Sequence, residues 1–380
     1  MNKHFAVIGG GIAGLATAVA LQQKGYNVKV FESASDIRDS GGGLVLAVNA
    51  VKSLRKLGIE NAIRSVRREM PVFKVLDSKG KIISDMEDDF LIKTFGINNI
   101  AISRNALLNA LKSQVNDNCI ETGKRAVNFH SFDNSIQIQF EDGTFYNTDY
   151  LIAAEGVHSN IRQQLLPNSK PRYAGYTCWR AVIDTPASNQ KFGFEALGKE
   201  GRCGITPLAD NKTYWFAVVN APRNSEAMKK MGANELWQRF KNYPEPLPSL
   251  IKQTKDNEII WSDIVDIKPI STFAFDNVLL VGDTAHATTP KMAQGACQAI
   301  EDAAVLLDIL DKEQNIKTAF KQFEQRRVKR THKIVKGSWT LGKISQLENP
   351  IMIALRNFLF RHIPQSTTTK QLKEIYAVDF

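Results

Sequence analysis

Apolar and polar positions follow different periods in successive stretches of the chain, and the changes of period outline its organisation. Residues 5–9 form a continuous apolar run, the pattern of a strand buried on both faces. A glycine turn occupies 9–14, helical periodicity runs over 12–24 until Gly25 stops it, and 27–32 returns to strand. That is a βαβ start within 32 residues. The pattern then predicts helices over 49–57 and 104–115. It predicts one hairpin of 72–75 and 82–85 around Ser78-Lys79-Gly80, and another of 135–140 and 144–146 around Glu141-Asp142-Gly143. A short apolar strand, 150–154, ends at Glu155-Gly156. From about 171 to 269 strand-like runs dominate (175–183, 192–196, 202–206, 213–220), with one helix at 233–241. A buried strand reappears at 278–281, followed by a long helix over 295–310 and a helical tail from 316. The chain has no internal repeat, low-complexity segment or long linker.

Composition narrows the class. With 380 residues, 43% hydrophobic and 23% charged, the chain reads as a soluble globular enzyme with ample core. No run reaches the ~18 apolar residues of a membrane span. The N-terminus lacks the apolar core and cleavage site of a signal peptide, so a cytoplasmic protein is expected. Cys119, Cys178, Cys203 and Cys297 show no metal-binding or disulfide spacing, and no metal is expected. The net charge of +10 suits an anionic cofactor or substrate, an acidic membrane surface, or simply a solvated basic exterior. The basic residues are dispersed with no recognition motif, which argues against nucleic acid.

The first turn carries chemistry. Gly9, Gly11 and Gly14 fill the three slots of GxGxxG, between a strand and a helix, the context that gives the pattern meaning. The first glycine permits the tight turn, the second lets backbone approach a pyrophosphate, and the third allows close helix–strand packing. The helix N-terminus then offers N–H groups and partial positive charge to phosphates. Ala13 lies in the same turn. Glu32, with Ser33 beside it, ends the second strand, placed to accept hydrogen bonds from an adenosine ribose and to disfavour a 2′-phosphate.

Two later segments add to the turn: Leu151-Ile152-Ala153-Ala154-Glu155-Gly156-Val157-His158-Ser159-Asn160-Ile161-Arg162, and Val281-Gly282-Asp283-Thr284-Ala285-His286-Ala287-Thr288-Thr289-Pro290, continuing through Ala293-Gln294-Gly295-Ala296-Cys297 to Glu301-Asp302-Ala303. Together the three motifs resemble the group A FAD-dependent monooxygenases, the para-hydroxybenzoate hydroxylase-like family. The resemblance implies an α/β fold. A Rossmann-type FAD-binding domain (1–70, 101–170 and 270–345) would be interleaved with a mostly antiparallel β substrate domain (71–100 and 171–269). Residues 346–380 would form a C-terminal helical segment. It also implies FAD as cofactor, NADH or NADPH as transient co-substrate, dioxygen, and oxygen transfer from a flavin C4a-hydroperoxide to a small aromatic or heteroaromatic ring. By the same resemblance Asp283 bonds the ribityl chain and Pro290 stiffens the loop beside the isoalloxazine. Ala293, Gln294, Gly295, Ala296 and Cys297 bring backbone to the flavin pyrimidine edge. Arg104 meets the phosphates or ribose, or is simply an exposed helix-start residue, and Ala126 lies against the adenine.

Within that family, the patterns of FAD-dependent urate hydroxylases and zeaxanthin epoxidase-like enzymes are the nearest, both tending to carry a Cys at the position of Cys297. Arg202 and Tyr214 resemble the urate enzyme's substrate-activating arginine and substrate-binding tyrosine. As alternatives, both are ordinary strand residues, and Trp179, Phe194, Trp215 and Phe216 line a pocket or pack a core. His286 reads as a packing and hydrogen-bonding residue of its motif, and Cys203 and Cys297 as small buried residues. Three departures stand out: Glu155 where the family has Asp, Ala293 where it has Gly, and Lys291 where the urate enzyme has an acid. The apolar helix 351–361 either covers the flavin domain or lies on a membrane and admits a lipophilic substrate. The alternative activities are polyene epoxidation and an FAD-dependent dehydrogenase or reductase without oxygen insertion. A monomer or homodimer is expected.

Overall fold

The apolar run at the N-terminus forms the strand His4–Ile8, inside a six-stranded sheet. The computed structural model describes residues 3–37, 41–70, 72–84, 89–185 and 192–380. The order in this sheet is Ala274–Phe275, Val278–Leu280, Tyr150–Ala153, His4–Ile8, Asn27–Phe31, Ile120–Glu121. All neighbours run parallel except the first two. The central strands are covered on both faces, which is why residues 5–8, 151–153 and 278–280 are apolar and buried throughout. Helices Ile12–Gln23 and Gly295–Leu310 pack on each other over one face. The first of them is buried along most of its length, with Ala16, Ala18 and Ala20 keeping the approach close. A three-stranded antiparallel meander, Ala126–Ser131, Ile136–Phe140 and Phe145–Thr148, supplies Phe140 and Tyr146 against Phe31.

The strand-rich middle of the chain builds a seven-stranded sheet. Its order is Ile260–Asp266, Arg172–Asp184, Lys212–Asn220, Gly201–Pro207, Gly193–Gly198, Phe73–Asp77, Ile82–Ser84. Only the pair of Gly193–Gly198 with Phe73–Asp77 is parallel. Side chains alternate with period two. Trp179, Ala181, Cys203, Ile205, Trp215 and Ala217 pack one face with helices Ala233–Phe240 and Leu247–Gln253. Tyr176, Cys178, Arg180, Arg202, Tyr214 and Phe216 occupy the alternate positions, on the opposite face. The chain is thus a mixed α/β protein with C-terminal helices, as the pattern predicts.

Several elements went unforeseen. Gly43–Leu46, Arg67–Met70 and Asn99–Ser103 form a small sheet between the two large ones. Ile260–Asp266 is partly buried at almost every position, so it shows no alternation to read. The expected strand 82–85 appears as Ile82–Ser84, and Asp85 lies outside the described residues. The helix Pro350–Arg361 lies chiefly against Ile82–Ser84, and the next helix, Gln365–Tyr376, packs back on Val48–Lys56.

Candidate active site

The C-terminal ends of the parallel strands open onto a cleft of about 500 Å³. Gly9 begins its floor with φ +111°, and a Cβ there would sit 2.3 Å from the Ala154 carbonyl oxygen. A Cβ on Gly14 would sit 1.8 Å from the Gly9 oxygen, so that glycine packs the turn and does not line the cleft. Gly11 differs: no protein atom lies within 4 Å of where its Cβ would be. Nothing in the protein forbids a side chain there, and the opening is the approach a pyrophosphate needs.

Glu32 holds the turn from the next strand. The Gly10 N–H donates to its Oε2 at 2.7 Å, and the Ala34 N–H donates to Oε1 at 2.8 Å. Ser33 also donates to Oε1, at 3.1 Å. A carboxylate oxygen can accept more than one bond, so Glu32 retains acceptor capacity toward the cleft it lines. Ala13, Ser33, Arg104, Ala126, Asp283, Gly295 and Ala296 line the same cleft. Asp283 opens onto it yet is ringed by protein; burial pushes its carboxyl above the usual carboxylate range, with His286, Arg104 and Arg162 pulling the other way.

Pro290, Ala293, Gln294 and Cys297, expected beside the flavin ring, do not line this cleft. Pro290 is exposed and starts a short 3-10 turn, Pro290–Met292. Ala293 ends that turn with φ +51°, which explains why glycine suits the position: the left-handed region is strained for a residue with a Cβ. Gln294 turns inward, its Oε1 accepting from Asn49 at 3.1 Å and from Gln298 at 3.0 Å. The Cys297 thiol also points away from the cleft, accepting from the Ala47 N–H at 3.4 Å; burial pushes it up to about 12.

Residues passed over in the sequence matter here too. Lys124, Arg125, His158 and Asn160 line the cleft. Glu155 uses its extra methylene to cap the helix Asn160–Leu165, accepting from Ser159 Oγ and from the Ile161 N–H at 3.2 Å. Arg162, fully buried, ties the Gly156–Val157 backbone and the Thr284 carbonyl together. Asp302 orients the Gly282–His286 turn: its Oδ2 accepts the Gly282 N–H at 2.8 Å and meets His286 Nε2 at 2.7 Å. Arg327 bonds the other oxygen at 2.6 Å. His286 is therefore held as a structural partner of its motif.

On the seven-stranded sheet, Arg202 is buried. Its Nη1 donates to Glu195 Oε1 at 2.7 Å, and Lys291 bonds the other Glu195 oxygen. Burial alone would raise the Glu195 carboxyl, but Lys291 and Arg202 outweigh it and hold it below the ordinary value. Arg202 Nε and Nη2 find no protein acceptor, and neither does the Tyr176 hydroxyl. The guanidinium lies 5.7 Å from the Tyr176 ring centre and 5.9 Å from that of Phe216. Tyr214 is half-buried beside Phe216, and a Cβ on Gly43 would strike it at 2.5 Å. Trp179, Phe194 and Trp215 lie in the core on the sheet's other side. Among the described residues no cluster of three or more His, Cys, Asp or Glu could hold a metal ion.

A glycine turn at the end of a parallel strand, with an acidic strand end and a second carboxylate across the cleft, defines a dinucleotide-cofactor oxidoreductase. The chain belongs to the FAD binding domain family, whose model matches residues 3–338. It is 34% identical over 93% of its length, and 93% of the relative's, to aurachin C monooxygenase/isomerase of Stigmatella aurantiaca. It is 29% identical to the FAD-dependent urate hydroxylase of Klebsiella oxytoca over 87% of each chain. Against the 2-heptyl-3-hydroxy-4(1H)-quinolone synthase of Pseudomonas aeruginosa it is 28% identical, over 97% of this chain and 96% of that one. The crystal structure of Klebsiella pneumoniae HpxO complexed with FAD and uric acid superposes with TM-score 0.90 at 24% identity, over 98% and 96% of the two chains, and so shares the fold. The protein is an FAD-dependent oxidoreductase of the aromatic hydroxylase and monooxygenase class.

Proposed function

We propose that this protein is an NAD(P)H-consuming monooxygenase that inserts one atom of dioxygen into a small heteroaromatic ring. The observation that carries the reading is Arg202: a buried guanidinium with two unpartnered donors, set between aromatic rings on a sheet face of its own. Buried donors without acceptors are costly and point to a ligand that completes them. The flavin, when bound, supplies electron transfer and oxygen activation. The chain supplies the rest. Gly9, Gly11, Glu32, Arg104 and Asp283 bind and orient the cofactor in the cleft. Arg202 holds the negative charge that develops on the ring. Tyr214, its phenol pushed well above the ordinary value by burial, stays protonated and can donate to a ring oxygen or nitrogen.

The charge balance supports an anionic ring. Glu195 carries one negative charge against the two positive charges of Arg202 and Lys291, so the group keeps one net positive charge. The urate and quinolone relatives, like the 6-hydroxynicotinate 3-monooxygenase of Pseudomonas fluorescens at 28% identity, bear names built on nitrogen heterocycles. We further assign 1–70, 101–170 and 270–345 to the cofactor domain, and 71–100 and 171–269 to the substrate domain. The parallel and antiparallel sheets support this division. The test is NADH and NADPH oxidation by the flavin-loaded enzyme with a panel of nitrogen heterocycles. Ring-stimulated oxidation with labelled oxygen in the product is expected. Hydride transfer without oxygen uptake would overturn it.

A further inference from the structure

Among the described residues eleven large apolar side chains are exposed, and six of them lie between 351 and 363. Five belong to the helix Pro350–Arg361: Ile351, Met352, Leu355, Phe358 and Leu359, with Ile351 78% exposed and Phe358 57%. Their spacing is i, i+1, i+4, i+7, i+8, one continuous stripe of a helix. In a helix that packs on a soluble protein this stripe faces the core. Here the stripe faces out. The two fully buried side chains are polar, Arg356 and Asn357, with Ile353 and Phe360 half-buried beside them, and Arg356 donates to the Ser345 carbonyl at 3.2 Å and to Asn357 Oδ1. Arg361 fixes the far end, donating to the Ile82 carbonyl at 3.0 Å and to Asp77 at 2.8 Å. The helix is thus anchored by its polar side and presents its apolar side outward.

We infer that this helix seats the enzyme on an anionic lipid bilayer, with the stripe at the headgroup boundary. Charge selects the occupant. Arg356 is buried and Arg361 is paired with Asp77, and the flanking acids Glu348 and Glu374 bond Asn220 and Lys333, so the free charge near the stripe is that of lysines, in a chain of net charge +10. Lys370 and Lys373 are exposed on the next helix, and Lys79 and Lys81 are exposed on the hairpin that the Pro350–Arg361 helix packs against. An apolar stripe with basic residues around it is the signature of an interfacial helix. A second copy would bring the same positive charges face to face, whereas an anionic surface is complementary to them. No helix among the described residues is long and apolar enough to cross a membrane, so the contact is with one surface.

The experiment uses the full-length, flavin-loaded protein in a flotation assay. Vesicles of phosphatidylglycerol and phosphatidylcholine are compared with vesicles of phosphatidylcholine alone. The wild type should float with the anionic vesicles and on the order of tenfold less with the neutral ones. Leu355→Glu/Phe358→Glu changes only exposed positions; it should lower flotation by about tenfold or more, while flavin absorbance and elution volume stay as in the wild type. Raising the salt should weaken binding of the wild type. Wild-type protein that stays at the bottom with anionic vesicles, or a double variant that floats equally well, overturns the inference. So does a wild-type dimer that the double variant converts to monomer without any lipid binding, which would give the stripe to a second copy.

Discussion

Replacing Glu195 with Gln removes the one negative charge from a buried group of three. Arg202 Nη1 lies 2.7 Å from one carboxylate oxygen and Lys291 bonds the other; the three side chains are 3%, 6% and 10% exposed. Breaking a buried ion pair by removing one partner costs about 3–5 kcal/mol, since the remaining charge is uncompensated. Lys291 can shed its proton to limit that cost, so we take the low end, about 3 kcal/mol. Adding Lys291→Met to Glu195→Gln removes the second cation and leaves the introduced amide oxygen to accept from Arg202. The double variant should therefore recover roughly 1–2 kcal/mol relative to simple addition of the two single losses. At about 2 °C per kcal/mol for a chain of this size, Glu195→Gln should melt about 6 °C below wild type.

Acid linkage gives an independent check. The folded Glu195 carboxyl is held below its ordinary value, chiefly because Lys291 and Arg202 overcome the opposing effect of burial. A depressed folded value contributes stability above the unfolded value of about 4.3 and loses it as pH falls through the folded value. The gap between wild type and Glu195→Gln should thus be full at neutral pH and close below about pH 4. Thermal unfolding followed by circular dichroism at several pH values measures both effects. A Glu195→Gln protein that melts within about 1 °C of wild type, or losses that add without coupling in the double variant, would refute the buried triad.

Ala293→Gly relieves a left-handed residue at φ +51° and should raise the melting temperature slightly, by up to about 1 kcal/mol of stability; a lower melting temperature would mean that the methyl group is packed to advantage. Asp283→Ala removes the carboxylate that opens onto the cleft. Titrating apoprotein with FAD by flavin fluorescence should then show affinity weaker by about tenfold or more, and an unchanged affinity would take Asp283 out of the cofactor site.

What could be read from the sequence follows its local physics. The strand–turn–helix at the N-terminus announces itself, because Gly9 and Gly14 must be glycine where a Cβ would overlap backbone. The helix predicted over 295–310 forms as Gly295–Leu310, bounded by the preceding turn. Period-two alternation also places Arg202 and Tyr214 on one face of their sheet. Their separation depends on register, which is not a local property. Arg202 pairs with Val218 and Thr206 with Tyr214, so the two residues sit four positions apart along the strands, about 13 Å at the usual rise. The partners Glu195 and Lys291 are 96 residues apart in sequence and meet only through the tertiary fold. In the stretch 290–297 the pattern does not tell which side chains turn inward, as those of Gln294 and Cys297 do. At the C-terminus the sequence allowed either a covering helix or one lying on a membrane, because apolar residues do not tell which side faces in; Arg356 and Asn357 are buried and the apolar stripe is exposed.

Oxygen transfer is tested most directly by one measurement on the yellow, FAD-loaded enzyme. With labelled dioxygen, a nitrogen-heteroaromatic substrate and NADH or NADPH, nicotinamide oxidation and oxygen uptake are followed together, and the product is weighed by mass spectrometry. Stimulation of nicotinamide oxidation by the ring, matched by one labelled oxygen atom in each product molecule, is the predicted result. Nicotinamide oxidation that proceeds without oxygen uptake, or a product free of label, would contradict it and make the protein a dehydrogenase or reductase on the same fold.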